Sequence, residues 1–247
     1  MAVNSCLKMI GLAALMAFGS LCANAQSLNQ GAYVPGTTTY QYGYNSIPNI
    51  QISGAPADTD FKRSAMLHDG STYRLYFFKK NSTNTLYQFG WNGSVYQYGY
   101  NSIPILTITG APADANPQKF AMLHDGTTYR LYFLSQDKTK LHQFGWDGSS
   151  YKYGYNSIPV IPITGAPADT DKNRWEMLHD GKDYRLYFAK SGVNNTLYQF
   201  AWNGASYQYG YNSIPVLTLQ GFPANSDFSS FDILHDDANY RIYFIAP

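Results

Sequence analysis

The chain repeats itself, and the repeat leaves few folds open to it. Tyr-Gly-Tyr-Asn-Ser-Ile-Pro occurs at 42–48, 98–104, 153–159 and 209–215, and Leu-His-Asp at 67–69, 123–125, 178–180 and 234–236. Both series step by 56, 55 and 56 residues, so four copies fill the sequence from residue 26 onward with no space for a second domain. Within one copy the pattern predicts four short strands. The first ends in Ala65-Met66-Leu67-His68, before an Asp69-Gly70 turn. Tyr73 to Phe78 forms the second. Leu86 to Trp91 forms the third, closed by Asn92-Gly93. Val95 to Tyr100 forms the fourth, and Pro104 ends it, leaving Ile105 to Lys119 as a connection to the next copy. Asx-Gly pairs between such runs are hairpin signals. The strands are bulky on both faces, which suits sheets stacked between neighbours.

Four-stranded units repeated radially predict an all-β, four-bladed β-propeller. The chain ends carry the same expectation. The sequence stops after Tyr240 to Phe244, the second strand of its copy, while Leu28-Asn29-Gln30 and Thr39 to Tyr44 read as a third and a fourth strand. One blade shared between the termini closes the ring.

Met9 to Phe18 is an apolar run behind Lys8, followed by Ala23-Asn24-Ala25. Residues 1–25 therefore read as a signal peptide cut after Ala25, and 26–247 as one secreted domain, extracellular or periplasmic. Leu21 before Cys22 lacks the small residue of a lipoprotein signal. Cys6 and Cys22 both fall in that segment, so the remaining fold relies on core burial. With Lys8 removed, 16 basic and 16 acidic residues leave no net charge, which disfavours nucleic acid and anionic membranes as partners. No later run is long enough to insert in a membrane.

Ile103-Pro104, Gly110-Ala111-Pro112 and Tyr129-Arg130-Leu131-Tyr132-Phe133 resemble hemopexin-type repeats. That resemblance implies a four-bladed propeller. These copies are longer than that family's, and its Ile-Asp-Ala opening and terminal disulfide are absent, so no heme ligand is implied.

Four groups of residues recur with the period. His68, His124, His179 and His235 end the innermost strands, where a ring of imidazoles could hold a metal in the axial channel or hydrogen-bond within its own turns. His142 stands where other copies have tyrosine and reads as a surface variant. Arg74, Arg130, Arg185 and Arg241, fixed in a strand, each call for an acid or carbonyl partner. Pro-Ala-Asp-x-Asp/Asn at 56–60, 112–116 and 167–171 offers closely spaced oxygens, either for calcium or for Asx turns. Trp91, Trp146 and Trp202 end the third strands, and Asn101, Asn156 and Asn212 follow the fourth. Indole platforms beside neutral amides suit sugars, and the alternative use of the tryptophans is packing between blades.

Catalytic motifs are missing, and every notable residue recurs. A one-copy hydrolase would centre on Glu176 and Trp175, the place where the copies diverge. The expected function is multivalent, lectin-like binding of glycans without catalysis. The alternative is a hemopexin-like scaffold that binds a metal or flat cofactor in its axial channel, or a protein partner on one face.

Overall fold

The computed structural model describes residues 26–246, and the expected signal segment 1–25 lies outside them. The described chain contains strands and turns but no α-helix. Strands β4 (Thr59–His68), β5 (Tyr73–Lys79) and β6 (Thr85–Trp91) pair antiparallel in chain order. The far side of β6 carries two short strands, β7 (Tyr96–Tyr98) and β8 (Ile105–Thr109). Strands β9 (Ala115–His124), β10 (Tyr129–Ser135), β11 (Lys140–Trp146), β12 (Tyr151–Tyr153) and β13 (Val160–Thr164) repeat this pattern. So do β14 (Thr170–His179), β15 (Tyr184–Lys190), β16 (Thr196–Trp202), β17 (Tyr207–Tyr209) and β18 (Val216–Gln220).

The remaining unit joins the two ends of the described chain. β19 (Asp232–His235) and β20 (Tyr240–Ala246) take β1 (Ser27–Tyr33) as their third strand, from Ser27 opposite Ala246 to Ala32 opposite Arg241. β1 in turn carries β2 (Thr39–Tyr42) and β3 (Asn49–Ser53). Leu28 is fully buried in this seam, and Asn29 reaches Ser226 at 2.9 Å. The sheets stand around an axis lined by β4, β9, β14 and β19, the ring arrangement of a β-propeller.

The expectation for Ile105 to Lys119 needs correction. That stretch is not a plain connection, because Ile105–Thr109 is strand β8. Its residues alternate between exposed and buried, as an edge strand with one covered face must. The fourth strand is thus broken in two by the Tyr-Gly-Tyr-Asn-Ser-Ile-Pro segment. Gln88 explains the break. Its N–H donates to the Pro104 carbonyl and its carbonyl accepts from the Gly99 N–H, both at 3.0 Å. Residues 100–103 are pinched outward between those two bonds. Gly99 has φ 68° and Asn101 φ 45°, conformations that glycine and asparagine tolerate best. Gln30, Gln143 and Gln199 pin the equivalent segments in the same way.

Each outer edge is tied to the next unit by a short parallel ladder: β3 to β7, β8 to β12, β13 to β17 and β18 to β2. The middle strands are buried on both faces, as in β6, where Leu86 to Gly90 are all buried. Aromatic pairs such as Phe78 with Phe120, 4.8 Å between centroids, fill the space between sheets.

Candidate functional site

The junctions between sheets contain cavities of about 390, 430, 370 and 250 Å³. The three larger ones lie within the range of small-ligand pockets, roughly 300–1,000 Å³. In the first, one sheet supplies Arg74, Gln88 and the pinched-out segment with Asn101, while the next supplies Tyr129 and Trp146. The second joins Arg130, Gln143 and Asn156 to Tyr184 and Trp202. The smallest joins Arg241, Gln30 and Asn45 to Tyr73 and Trp91. The remaining one joins Arg185, Gln199 and Asn212 to Tyr240, with Tyr33 in the place of the tryptophan.

All six residues singled out for a sugar site therefore line these cavities. They meet across junctions and not within a repeat: Asn101 shares a cavity with Trp146, Asn156 with Trp202 and Asn212 with Tyr33. Trp91 faces Asn45, which sequence reasoning left out. The indoles are half-buried, each tilted against a tyrosine of the adjoining strand, as in Trp146 and Tyr151 at 5.2 Å. Each indole thus packs on a tyrosine and also lines a cavity. Asn45, Asn101, Asn156 and Asn212 are exposed.

The arginines have the acid partners that the sequence called for, and they also line the cavities, which it did not foretell. Nε of Arg74 donates to Asp69 at 2.9 Å, and Arg130 and Arg185 bond Asp125 and Asp180 at 2.9 and 2.8 Å. Arg241 pairs with Asp236. The other carboxylate oxygen of each aspartate closes its own turn, as Asp69 Oδ1 accepts from Thr72 N–H at 2.8 Å. Burial pushes these acids upward, but the arginine and turn bonds outweigh it. Asp125 and Asp180 are held at about 2, and Asp69 and Asp236 are also lowered. Burial works against charge on Arg74 as well, and its bond to Asp69 more than restores it. A tyrosine from the next sheet completes three of the clusters: Tyr129 to Asp69 at 2.9 Å, Tyr240 to Asp180 at 2.8 Å and Tyr73 to Asp236 at 3.0 Å.

The histidines do not form a metal centre. His68, His124, His179 and His235 each lie against the tyrosine that opens the following strand, with centroids 4.5–4.6 Å apart. Met66, Met122, Met177 and Ile233 help close the axis to about 10 Å³, space for no more than one water. A flat cofactor cannot enter that channel. Among the described residues no three His, Cys, Asp or Glu side chains are placed to hold a metal. The expected calcium oxygens are used internally. Asp58 accepts from Tyr87 at 2.8 Å, and Asp60 and Asp171 bind Arg63 and Arg174 at 2.8 Å. His142 is also corrected. It is 2% exposed, with Nε2 3.1 Å from Asp114, the place where the other copies put a tyrosine hydroxyl on an aspartate.

Glu176 and Trp175 are 0% and 1% exposed, so no substrate reaches them. Glu176 belongs to a buried axial cluster instead. Lys119 donates to Asp232 at 2.8 Å, Ser64 donates to the other oxygen of Asp232 at 2.6 Å, and Glu176 Oε2 lies 3.0 Å from the ammonium. The other oxygen, Oε1, accepts from the Met177 N–H at 2.9 Å, which leaves Oε2 facing the ammonium. Burial, with Asp232 nearby, raises the Glu176 pKa well above the usual value despite Lys119.

No family model matches the chain, and no curated protein matches it. Among solved structures it is similar to a six-bladed β-propeller lectin of Aleuria aurantia, at 16% identity and a TM-score of 0.39, covering 81% of this chain and 61% of that one. It is also similar to AofleA from Arthrobotrys oligospora, at 14% identity and a TM-score of 0.38, covering 78% and 55%. The SapL1 lectin, solved with alpha methyl fucoside, is 16% identical with a TM-score of 0.35, covering 76% and 56%. The chain spans about three fifths of the length of these structures.

Proposed function

We propose that the chain is a secreted, non-catalytic, multivalent carbohydrate-binding module of lectin type. The observation that carries this reading is the make-up of the junction cavities. In three of them a half-buried indole from one sheet faces an exposed asparagine and a glutamine from its neighbour. Sugars present a weakly apolar face with a rim of hydroxyls. An aromatic wall binds the face, and amides, which both donate and accept, bind the rim. Among the described residues the side chains of Asn101, Asn156 and Asn212 have no hydrogen-bond partner, which leaves their amides to a ligand. Each hydrogen bond contributes only about 1 kcal/mol net, and several sites on one ring add avidity.

The ring is proposed to be a four-bladed propeller, the architecture that the hemopexin-type resemblance implied. What supports four is the outer ladder, which returns to its starting unit after four parallel joints. Export through cleavage after Ala25 is part of the same proposal.

A glycan array followed by titration calorimetry on residues 26–247 tests it. A bound sugar should titrate with three strong equivalents per chain, and the cavity with Tyr33 should be the weak one. Changing Trp146 or Trp202 to Ala should remove one equivalent each while the fold survives. Silence of the array, or collapse of the fold in each single variant, rejects the reading.

A further inference from the structure

We infer that three of the cavities select a carboxylated sugar over its neutral parent, and that Asp183 withholds this preference from the fourth. The inference rests on the carbohydrate reading above and specifies its ligand class.

Charge in these cavities comes from one source. Of the residues lining them, only Arg74, Arg130, Arg185 and Arg241 are ionic, and no carboxylate is among the lining side chains. The aspartate that balances each arginine grips Nε and spends its other oxygen on its own turn. Nη1 of Arg130 donates to the Asn156 carbonyl at 2.6 Å, and Nη1 of Arg241 to the Asn45 carbonyl at 2.8 Å. Those carbonyls belong to the pinched-out segments, so the guanidinium planes of Arg130 and Arg241 are fixed against the cavity wall, while Arg74 is held through Nε by Asp69. Nη2 of Arg74, Arg130 and Arg241 donates to no partner among the described residues. A fixed, half-buried guanidinium edge is a site for a planar anion, since a charge-assisted bond is roughly twice as strong as a neutral one. A neutral sugar can use the amides but leaves that edge without a charged partner.

The Arg185 cavity differs at this edge. Nη2 of Arg185 donates to Asp183 at 3.1 Å. Asp183 stands two residues before its arginine, where the other copies have Thr72, Thr128 and Asn239. The guanidinium therefore faces two carboxylates, Asp180 and Asp183. An incoming carboxylate would meet a site already neutralised and an anion beside it. The same cavity has Tyr33 for tryptophan, so one junction departs from the others in both platform and charge.

The test is calorimetry with matched pairs, glucuronate against glucose and galacturonate against galactose, at constant ionic strength, with acetate and sulfate as controls. At least one acid should bind ten-fold or more tightly than its parent, with three equivalents per chain. Asp183→Thr should raise this to four, the added site being weaker until Tyr33→Trp is combined with it. Arg130→Lys, which keeps the charge but loses the fork, should cut the ratio of acid to neutral affinity at one site. Equal affinity for acid and parent overturns the inference and leaves the carbohydrate reading standing. Acetate or sulfate binding as tightly as the sugar acid overturns it in favour of a plain anion site. A count unmoved by Asp183→Thr overturns the role of Asp183. If neither member of any pair binds and the array is silent too, it is the underlying carbohydrate reading that fails.

Discussion

The hydroxyl of Tyr129 donates to Asp69 in the neighbouring sheet at 2.9 Å, to the same oxygen that receives Nε of Arg74 at 2.9 Å. One carboxylate thus sets the cavity arginine and fastens two sheets together. Asp180 and Asp236 do the same for Tyr240 and Tyr73. The consequence for pH has a definite sign. The folded values lie below the ordinary aspartate value of about 3.9. Stability from these acids is complete above that value and is lost as pH falls through their folded values, about 2 for Asp125 and Asp180. Acid titration followed by far-UV circular dichroism should show unfolding between about pH 4 and pH 2. Asp125→Asn should move that transition to higher pH.

Glu176 acts in the opposite direction. Its folded pKa is raised, so its contribution is best below the unfolded value, about 4.3, and weakens as pH rises through the folded value. Glu176→Gln should therefore raise the melting temperature at pH 8 and change it little at pH 4.5. Lys119→Met leaves two buried carboxylates without a counterion and should cost about 3–5 kcal/mol at pH 7 by denaturant titration.

Closure by β1 should be essential to cooperativity. Leu28 is fully buried between β20 and β3. Leu28→Ala should cost about 2–5 kcal/mol, the range for buried leucine. Deleting 26–44 removes the strand that bridges β20 to β3, and calorimetry should then show no single cooperative transition. A deletion protein that melts like the parent would separate closure from stability.

The repeat period and its turns made the strand plan legible without coordinates. Hairpin geometry is local, and Asp69-Gly70 and Asn92-Gly93 announce it. The break in the fourth strand was not legible, because Gly99, Asn101 and Pro104 mark a turn, while the pairing that resumes the strand after it runs through the backbone of Gln88 on another strand. Trp146 and Asn101 were both visible as candidates, but not that they share one cavity. Their meeting is a property of ring geometry and not of spacing along the chain. Asn45 was missed for the same reason: its aromatic wall is Trp91 of the next unit, while its own unit has Tyr33 in the tryptophan column. The histidines could be read two ways because a column fixed fourfold can serve four identical local contacts, here with tyrosine, as well as one shared metal.

Gly90 offers a check on how the cavity wall is held. A β-carbon there would lie 2.2 Å from the Tyr100 carbonyl oxygen, so the pinched-out segment must shift to admit one. Gly90→Ala should weaken sugar binding at the Asn101 cavity more than it lowers the melting temperature, since the third copy already has Ala201 at this column. Comparing calorimetric affinity with thermal melting separates the two effects.

Because every cavity is assembled from two adjacent sheets, none exists once those sheets have come apart in the unfolded chain. Whatever occupies a junction must then count as folding free energy. At a hundredfold excess over its dissociation constant, a ligand adds about 2.7 kcal/mol per filled site, provided the open chain does not bind it. A domain with three occupied junctions would be held far more tightly than its cysteine-free core alone holds it. Proteases that cut the unfolded state would therefore spare the protein where such a ligand is abundant and clear it where the ligand is scarce.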